Sequence, residues 1–176
     1  QADKLPALGF KAYQLKKAAA VSGKAAEIKE ENGSYVVETK GFIVKIDDKG
    51  RVTSVYDKAA SREALAAPAN DIRLFRDGPQ SEDAWNIYDI YMDRPVDVDW
   101  NVKLCVKENS PMRVVIGVEK TEEKCAIHQD IVIYKDSSVI DFKTKIDWAE
   151  RHKVMRVYFP ANVKSQYAAY EVGFGT

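Results

Sequence analysis

The chain has 176 residues, of which 45% are hydrophobic and 31% charged, which is enough for one sizeable core but short for two domains. Lys plus Arg and Asp plus Glu both number 27, so there is no basic excess to hold a phosphate backbone, and we expect no nucleic-acid partner. The longest apolar runs, at residues 18–21 and 64–67, fall far short of the ~20 residues that a membrane-spanning helix needs. We therefore expect a soluble, cytoplasmic protein without a signal peptide or a membrane partner. The absence of an initiating Met favours a chain cut from a longer one.

Alternating apolar and polar residues predict most of the secondary structure, and the pattern is that of antiparallel strands. After a short run at residues 35–37, residues 42–47 and 51–56 form a predicted hairpin, in whose turn Gly50 is available for a positive φ. Similar runs follow at residues 114–118, 131–134, 139–148, 154–159 and 167–174. Short strands at this spacing predict an all-β fold, an antiparallel β-sandwich.

Helical signals are weak by comparison. Residues 16–21 have high helix propensity without an apolar stripe, and residues 61–65 would form one or two turns at most. Residues 119–124 are predicted to be a charged turn between strands. A candidate domain boundary falls near residues 18–31, an Ala-, Lys- and Glu-rich stretch that fits either a linker or a strand of a preceding small domain.

The residue types that metal binding and nucleophilic catalysis require are scarce. The only two histidines lie in different patterns: His128 shares a predicted strand face with Asp130, and His152 lies in a charged corner between two strands. We interpret both as structural residues and predict neither a metal site nor a catalytic residue. Cys105 and Cys125 lack metal-ligand spacing, and we expect two buried or partly buried free thiols.

Residues 80–91 stand out because aromatic and acidic side chains are dense there. Sugars stack their C–H faces on aromatic rings and donate hydroxyl hydrogen bonds to carboxylates, so Asp83, Trp85 and Tyr88 are candidate sugar-binding residues. The same composition suits a loop that inserts its rings into the rim of a sheet. We favour this structural role, for Trp85 in particular.

Two stretches resemble the C-terminal half of α-mannosidases of glycoside hydrolase family 38. They are residues 74–87, which contain Asp83-Ala84-Trp85-Asn86, and residues 147–160. The opening (5–13), the hairpin (46–58) and the ending (169–175) extend the resemblance over nearly the whole chain. The Asp-Ala-Trp form is similar to the bacterial, cytosolic and vacuolar branch rather than to the Golgi and lysosomal enzymes. That branch usually has Asp after the Trp, where this chain has Asn86.

The resemblance implies a fold for this chain and places the catalytic residues outside it. Residues 1–21 would be the end of a linker β-domain, and residues 22–176 the first part of a galactose-mutarotase-like β-supersandwich that continues beyond this chain. The family's retaining hydrolysis uses two carboxylates and a zinc ion. In the family these belong to an N-terminal barrel and helical bundle that this chain lacks, so no residue here inherits a catalytic or zinc-binding role.

We therefore expect a noncatalytic portion of a zinc-dependent α-mannosidase. It would support the catalytic barrel of the same polypeptide and form one wall of a site for mannose-containing glycans. Two alternatives stay open: a stand-alone carbohydrate-binding or structural sandwich, and a mutarotase, although the strand pattern does not bring His128 and His152 together. The run at residues 167–174 would leave a sheet unfinished, which predicts self-association.

Overall fold

The computed structural model describes residues 6–14, 16–17, 19, 22–78, 81–82, 85–170 and 172–173. The strands in that part of the chain are β1 (Glu27–Glu31), β2 (Ser34–Glu38), β3 (Phe42–Ile46), β4 (Val52–Asp57), β5 (Arg62–Glu63), β6 (Asp71–Arg76), β7 (Pro95–Val96), β8 (Asn101–Asn109), β9 (Arg113–Glu122), β10 (Cys125–Tyr134), β11 (Ile140–Trp148) and β12 (Lys153–Tyr158). A short 3₁₀ helix spans Asp89–Asp93, and no described residue lies in an α-helix. Nor does any helix there have the length and apolarity to cross a bilayer.

Two antiparallel sheets share the main core. One has the order β1-β2-β3-β4-β5, and the other has the order β11-β10-β9-β8. Fully buried residues from both sheets form one cluster, among them Val37, Val44 and Ile46 from the first and Ile116 and Ile131 from the second. Because alternate residues of each strand face this layer, the polar ones face outward. The predicted antiparallel β-sandwich is confirmed.

A smaller third sheet, with the order β12-β6-β7, packs against the same face of β10 further along the strand. Ile72 of β6 forms a second buried cluster with Cys125 and Ile127, whereas Ile131 and Ile133 belong to the main core. All four β10 residues lie at alternate positions and so face the same way. One strand face therefore spans both clusters.

Buried amides join the sheets where the two clusters meet. Asn70 donates to the carbonyl of Gly50 (3.0 Å) and to Oε1 of Gln129 (2.7 Å). Gln129 donates back to Oδ1 of Asn70 (3.1 Å) and to the hydroxyl of Thr144 (2.7 Å). Gly50 has a φ of 70°, as its turn position predicted, and a Cβ there would lie 2.4 Å from a methyl group of Val118. Only glycine therefore lets the β3–β4 turn approach β9 this closely.

Two local predictions are wrong for reasons of pairing. Residues 61–65 form β5 and a bridge from Leu65 to Ala161 instead of helical turns, because β5 pairs with β4. The expected turn at residues 119–124 begins later, since β9 continues its pairing with β10 as far as Glu122 and Cys125. In both places tertiary pairing overrides local composition.

Other expectations fall at the ends of the chain. The strand expected at residues 167–174 is not formed at 167–170 or 172–173, the positions there that the structure describes. Residues 16, 17 and 19 are not helical, and the rest of the expected helix at 16–21 lies outside the described residues. The boundary stretch 18–31, for which a linker or a strand both stayed open, contributes β1, whereas β8 was not predicted. The division at residue 21 stays a prediction.

Candidate functional site

The loop between β6 and β7 carries the candidate sugar-binding residues. The indole of Trp85 is 91% exposed, so the described residues cover almost none of it. Tyr88 is partly buried, and its hydroxyl donates to the carbonyl of Ser81 (3.0 Å) and lies 2.9 Å from the Ser81 hydroxyl. Asp83 lies outside the described residues. The loop thus presents one free aromatic face and one aromatic ring held within the loop.

The base of the same loop is anchored by a different aromatic residue. Tyr91, in the 3₁₀ helix, is buried and packs edge-to-face against Phe75 of β6 with ring centroids 5.5 Å apart. The guanidinium of Arg156 lies 5.6 Å from the centre of the Tyr91 ring and donates to its hydroxyl. A ring inserted into the rim of the sheet was the favoured interpretation of this loop, and Tyr91 plays that part. Trp85 does not do so within the described part of the chain.

A shallow depression of about 700 Å³ lies at the foot of the loop. Its lining includes Arg76, Arg94 and Arg151, and also His152, whose φ is 54°. Backbone hydrogen bonds from Arg76 to Arg94 and from Asp77 to His152 fix the two edges of the depression. Cationic side chains dominate this surface, so it suits acidic groups better than a neutral sugar.

A second cavity, of about 380 Å³, lies between the β3–β4 turn, the small sheet and β9. Its lining includes Lys120, which is only 4% exposed. Burial lowers the pKa of Lys120, although the charges of Asp47 and Asp71 offset part of that effect. Lys120 was not among the residues predicted from the sequence. The sequence does contain a signal for it: in β9, the alternate positions 114, 116 and 118 are apolar, and Lys120 is the one charged residue that continues this series.

Comparison with known proteins decides the family. The family model described as "Glycosyl hydrolases family 38 C-terminal domain" matches residues 37–176. The chain belongs to this family. Family 38 membership agrees with the antiparallel sandwich, of which all strands but β1 and the start of β2 lie within the matched part. It also agrees with the resemblance of residues 74–87 and 147–160.

The relatives of this family 38 domain are much longer than the chain itself. Human "Alpha-mannosidase 2C1" is 31% identical over 152 residues, and "Alpha-mannosidase G" of Dictyostelium discoideum is 28% identical over 160 residues. The "Alpha-mannosidase" of Saccharomyces cerevisiae is 28% identical over 173 residues. These alignments cover 84%, 86% and 82% of this chain but only 15%, 14% and 16% of the respective relatives. The chain therefore corresponds to about one-seventh of each.

The two histidines of the family 38 domain are not brought together. His128 is on the outer face of the four-stranded sheet, with Nδ1 3.9 Å from Glu119 and Nε2 4.0 Å from Asp147. His152 lines the depression at the foot of the loop. The described residues contain no group of three His, Cys, Asp or Glu side chains that could hold a metal ion. The part of the chain that the structure describes therefore does not fit the zinc ion that the resemblance implies.

Both cysteines are free thiols, as expected, but their surroundings differ. Cys125 is buried under the small sheet, and burial raises the pKa of its thiol. Cys105 on β8 is exposed, so the expectation that it would be at least partly buried is wrong. It pairs across the strands with Gly117, which offers no side chain to cover it.

Proposed function

We propose that this chain is a noncatalytic β-sandwich portion of a zinc-dependent, retaining α-mannosidase and acts within a longer polypeptide. The observation that carries the proposal is the similarity of more than four-fifths of the chain to about one-seventh of several proteins named as α-mannosidases. The sandwich would be part of a mutarotase-like supersandwich whose further strands come from the same polypeptide. The zinc ion, which would grip hydroxyls of the substrate, would be held by residues outside this chain.

The surface around the aromatic loop is the part that we propose to face the catalytic barrel. A tryptophan that is 91% exposed, on a loop whose base carries a depression rich in arginine, is costly to leave uncovered and typical of a contact surface. Anchoring by Tyr91 and Phe75 holds the base of the loop, while Trp85 is exposed. Asp83, Trp85 and Tyr88 would then form part of one wall of the site for mannose-containing glycans.

The isolated chain tests the proposal that this part of the enzyme is noncatalytic. After dialysis we expect no stoichiometric zinc in the chain and no turnover of p-nitrophenyl α-mannoside. One tightly held zinc ion per chain, or turnover that survives repurification, would overturn the noncatalytic assignment.

A test of the supporting role uses a chimera. In human "Alpha-mannosidase 2C1", the segment that aligns with this chain is replaced by this chain, and hydrolysis of p-nitrophenyl α-mannoside is measured. We expect activity to be retained by the chimera and lost when an unrelated β-sandwich of equal length is inserted. A folded chimera, verified by its melting transition, that has no activity would contradict the supporting role.

The stand-alone carbohydrate-binding module is the second candidate, and the exposed face of Trp85 favours it. Such a module would bind mannose-containing glycans by itself and would lose that binding in Trp85→Ala. Glycan binding by the chain that does not depend on Trp85 would rule out this version of the module.

A further inference from the structure

The cavity beside Lys120 is the feature of this fold that none of the roles above uses. It is bounded on one side by the small sheet, through Leu74 and Val96, and on another by the β3–β4 turn, through Lys49. Its volume of about 380 Å³ lies within the range of roughly 300–1,000 Å³ that is typical of small-molecule sites. Every residue that lines it belongs to the part of the chain that the structure describes.

The Lys120 residue is only 4% exposed and lines the cavity. No hydrogen bond or ion pair joins its ammonium group to any described residue, although the charges of Asp71 and Arg51, which both line the cavity, act on it. None of the described side chains has a fully enclosed nitrogen or oxygen atom that lacks a hydrogen bond. The ammonium group of Lys120 therefore opens into the cavity. An acceptor bound in the cavity would give this ammonium group a hydrogen-bond partner that the described residues do not provide.

The charges around the cavity favour a neutral occupant. Arg51 is paired with Asp47 (2.8 Å), and Arg73 is paired with Asp71 (2.7 Å). Four charged lining residues then have no ion pair among the described residues, two of them cationic (Lys49, Lys120) and two anionic (Asp97, Asp99). Because these balance, an anion would gain little net attraction. A ligand that both donates and accepts hydrogen bonds would use all four.

The remaining wall is apolar and includes an aromatic ring. Trp100 is partly buried. It lines the cavity and also packs against the buried cluster that contains Ile72 and Ile127. A ring held in this way is rigid, and it offers C–H groups a surface for stacking. Donors, acceptors and a flat apolar wall in a cavity of this size match a single pyranose ring.

We propose that this cavity binds one neutral monosaccharide unit, with Lys120 donating to a sugar oxygen, Asp97 and Asp99 accepting from hydroxyls, and Trp100 covering one face of the ring. The proposed site is distinct from the aromatic loop, since no residue of the loop between β6 and the 3₁₀ helix lines it. It requires neither the catalytic barrel nor zinc.

The experiment measures protection of Lys120 in the chain as it stands. Reductive methylation of individual lysines is followed by mass spectrometry with and without methyl α-mannopyranoside, and binding of the same sugar is titrated by NMR. We expect the sugar to slow methylation of Lys120 but not of Lys103, which is exposed on β8. We expect Lys120→Met, which keeps the length of the side chain, to weaken sugar binding about tenfold.

Matched controls separate this site from the other proposals. Lys103→Met makes the same charge change outside the cavity and is expected to leave binding unchanged. Asp99→Asn provides a second variant of the cavity and is expected to weaken binding. Sugar binding that is lost in Trp85→Ala but kept in Lys120→Met would overturn the proposal. So would a chain that does not bind the sugar at all. The same holds if the chain binds sulfate in a Lys120-dependent way but does not bind the sugar. None of these results alters the outcome expected for the chimera.

Discussion

Asn70 shows how much one buried side chain can determine. It is fully buried, has a φ of 55°, and donates to the carbonyl of Gly50 and to Gln129. Asn tolerates this left-handed backbone better than most residues, because its short polar side chain bonds locally. The residue therefore meets a backbone requirement and a hydrogen-bonding requirement at the junction of three sheets.

We expect Asn70→Ala to lower the free energy of unfolding by roughly 2–4 kcal/mol, because it leaves buried polar groups unpaired and because alanine tolerates the left-handed backbone less well than asparagine does. Urea denaturation measures the change. Asn101→Ala, at the exposed start of β8, is the matched control and is expected to have little effect. Equal losses in the two variants would contradict the role of Asn70.

Glu63 makes the stability of the domain depend on pH. Burial by itself raises the pKa of Glu63, but hydrogen bonds from the Ser54 hydroxyl (2.6 Å) and from the backbone N–H groups of Leu65 (3.0 Å) and Val55 (2.8 Å) outweigh it. The pKa of the carboxyl therefore lies below the ordinary value of 4.5. A depressed pKa contributes stability that is fully present above 4.5 and is lost as the pH falls through the value in the folded state.

We expect Glu63→Gln to be less stable than the parent chain at pH 7, and the difference to shrink as the pH falls below about 4.5. Denaturant titrations between pH 7 and pH 3 measure this. Glu123→Gln, in the exposed turn between β9 and β10, is expected to show no such trend. A difference that grows with acidity would have the wrong sign for this account.

At the scale of single elements, the loop between β6 and β7 combines an anchored base with an exposed tryptophan. We expect Tyr91→Ala to cost about 3 kcal/mol of stability, because it removes a buried ring from Phe75. We expect Trp85→Ala to change the stability of the chain by less than about 0.5 kcal/mol, because its ring is exposed. Thermal or urea denaturation of both variants compares the two ends of the loop.

In the longer polypeptide, the same Trp85→Ala change is expected to lower the rate of hydrolysis of an aryl α-mannoside. The ring would there pack against the barrel, with a packing loss of order 3–5 kcal/mol if it is buried, or would position the substrate if it is not. Steady-state kinetics and a melting transition distinguish the two. If neither changes, the loop has no part in either role.

At the scale of the whole molecule, the open side of the sandwich is a surface where chains can meet. Strands β11 and β12 are edge strands, and the side chains of Ile146, Trp148, Val157 and Phe159 on or next to them are exposed. Edge strands with exposed apolar residues recruit further strands. We therefore expect self-association to occur through the edges of β11 and β12, and not through residues 167–174.

We expect the isolated chain to associate increasingly with concentration, and Val157→Lys to reduce that association by placing a charge on the edge. Light scattering over a concentration series measures it. Val139→Lys, an equally exposed valine in the turn before β11, is the matched control and is expected to associate like the parent. A chain that stays monomeric at millimolar concentration and binds no apolar dye would contradict this prediction.

The sequence by itself determined the features whose causes are local. Alternation predicted the β3–β4 hairpin and the β10–β11 pair, and the turn composition predicted the positive φ of Gly50. His128 and Asp130 share an outer face because side chains alternate along any strand. Together with the resemblance of residues 74–87 and 147–160, these patterns gave the fold class and the family.

Only the tertiary structure decided which runs pair and which side chains are covered. Residues 61–65 became strand because β4 offered a free edge, whereas no strand forms at the described positions of 167–174, since alternation makes a strand possible but pairing supplies its hydrogen bonds. The exposure of Trp85 and the burial of Lys120 depend in the same way on distant elements. Alternation places Lys120 on the inner face of β9, but the cavity exists only because the small sheet and the β3–β4 turn meet there.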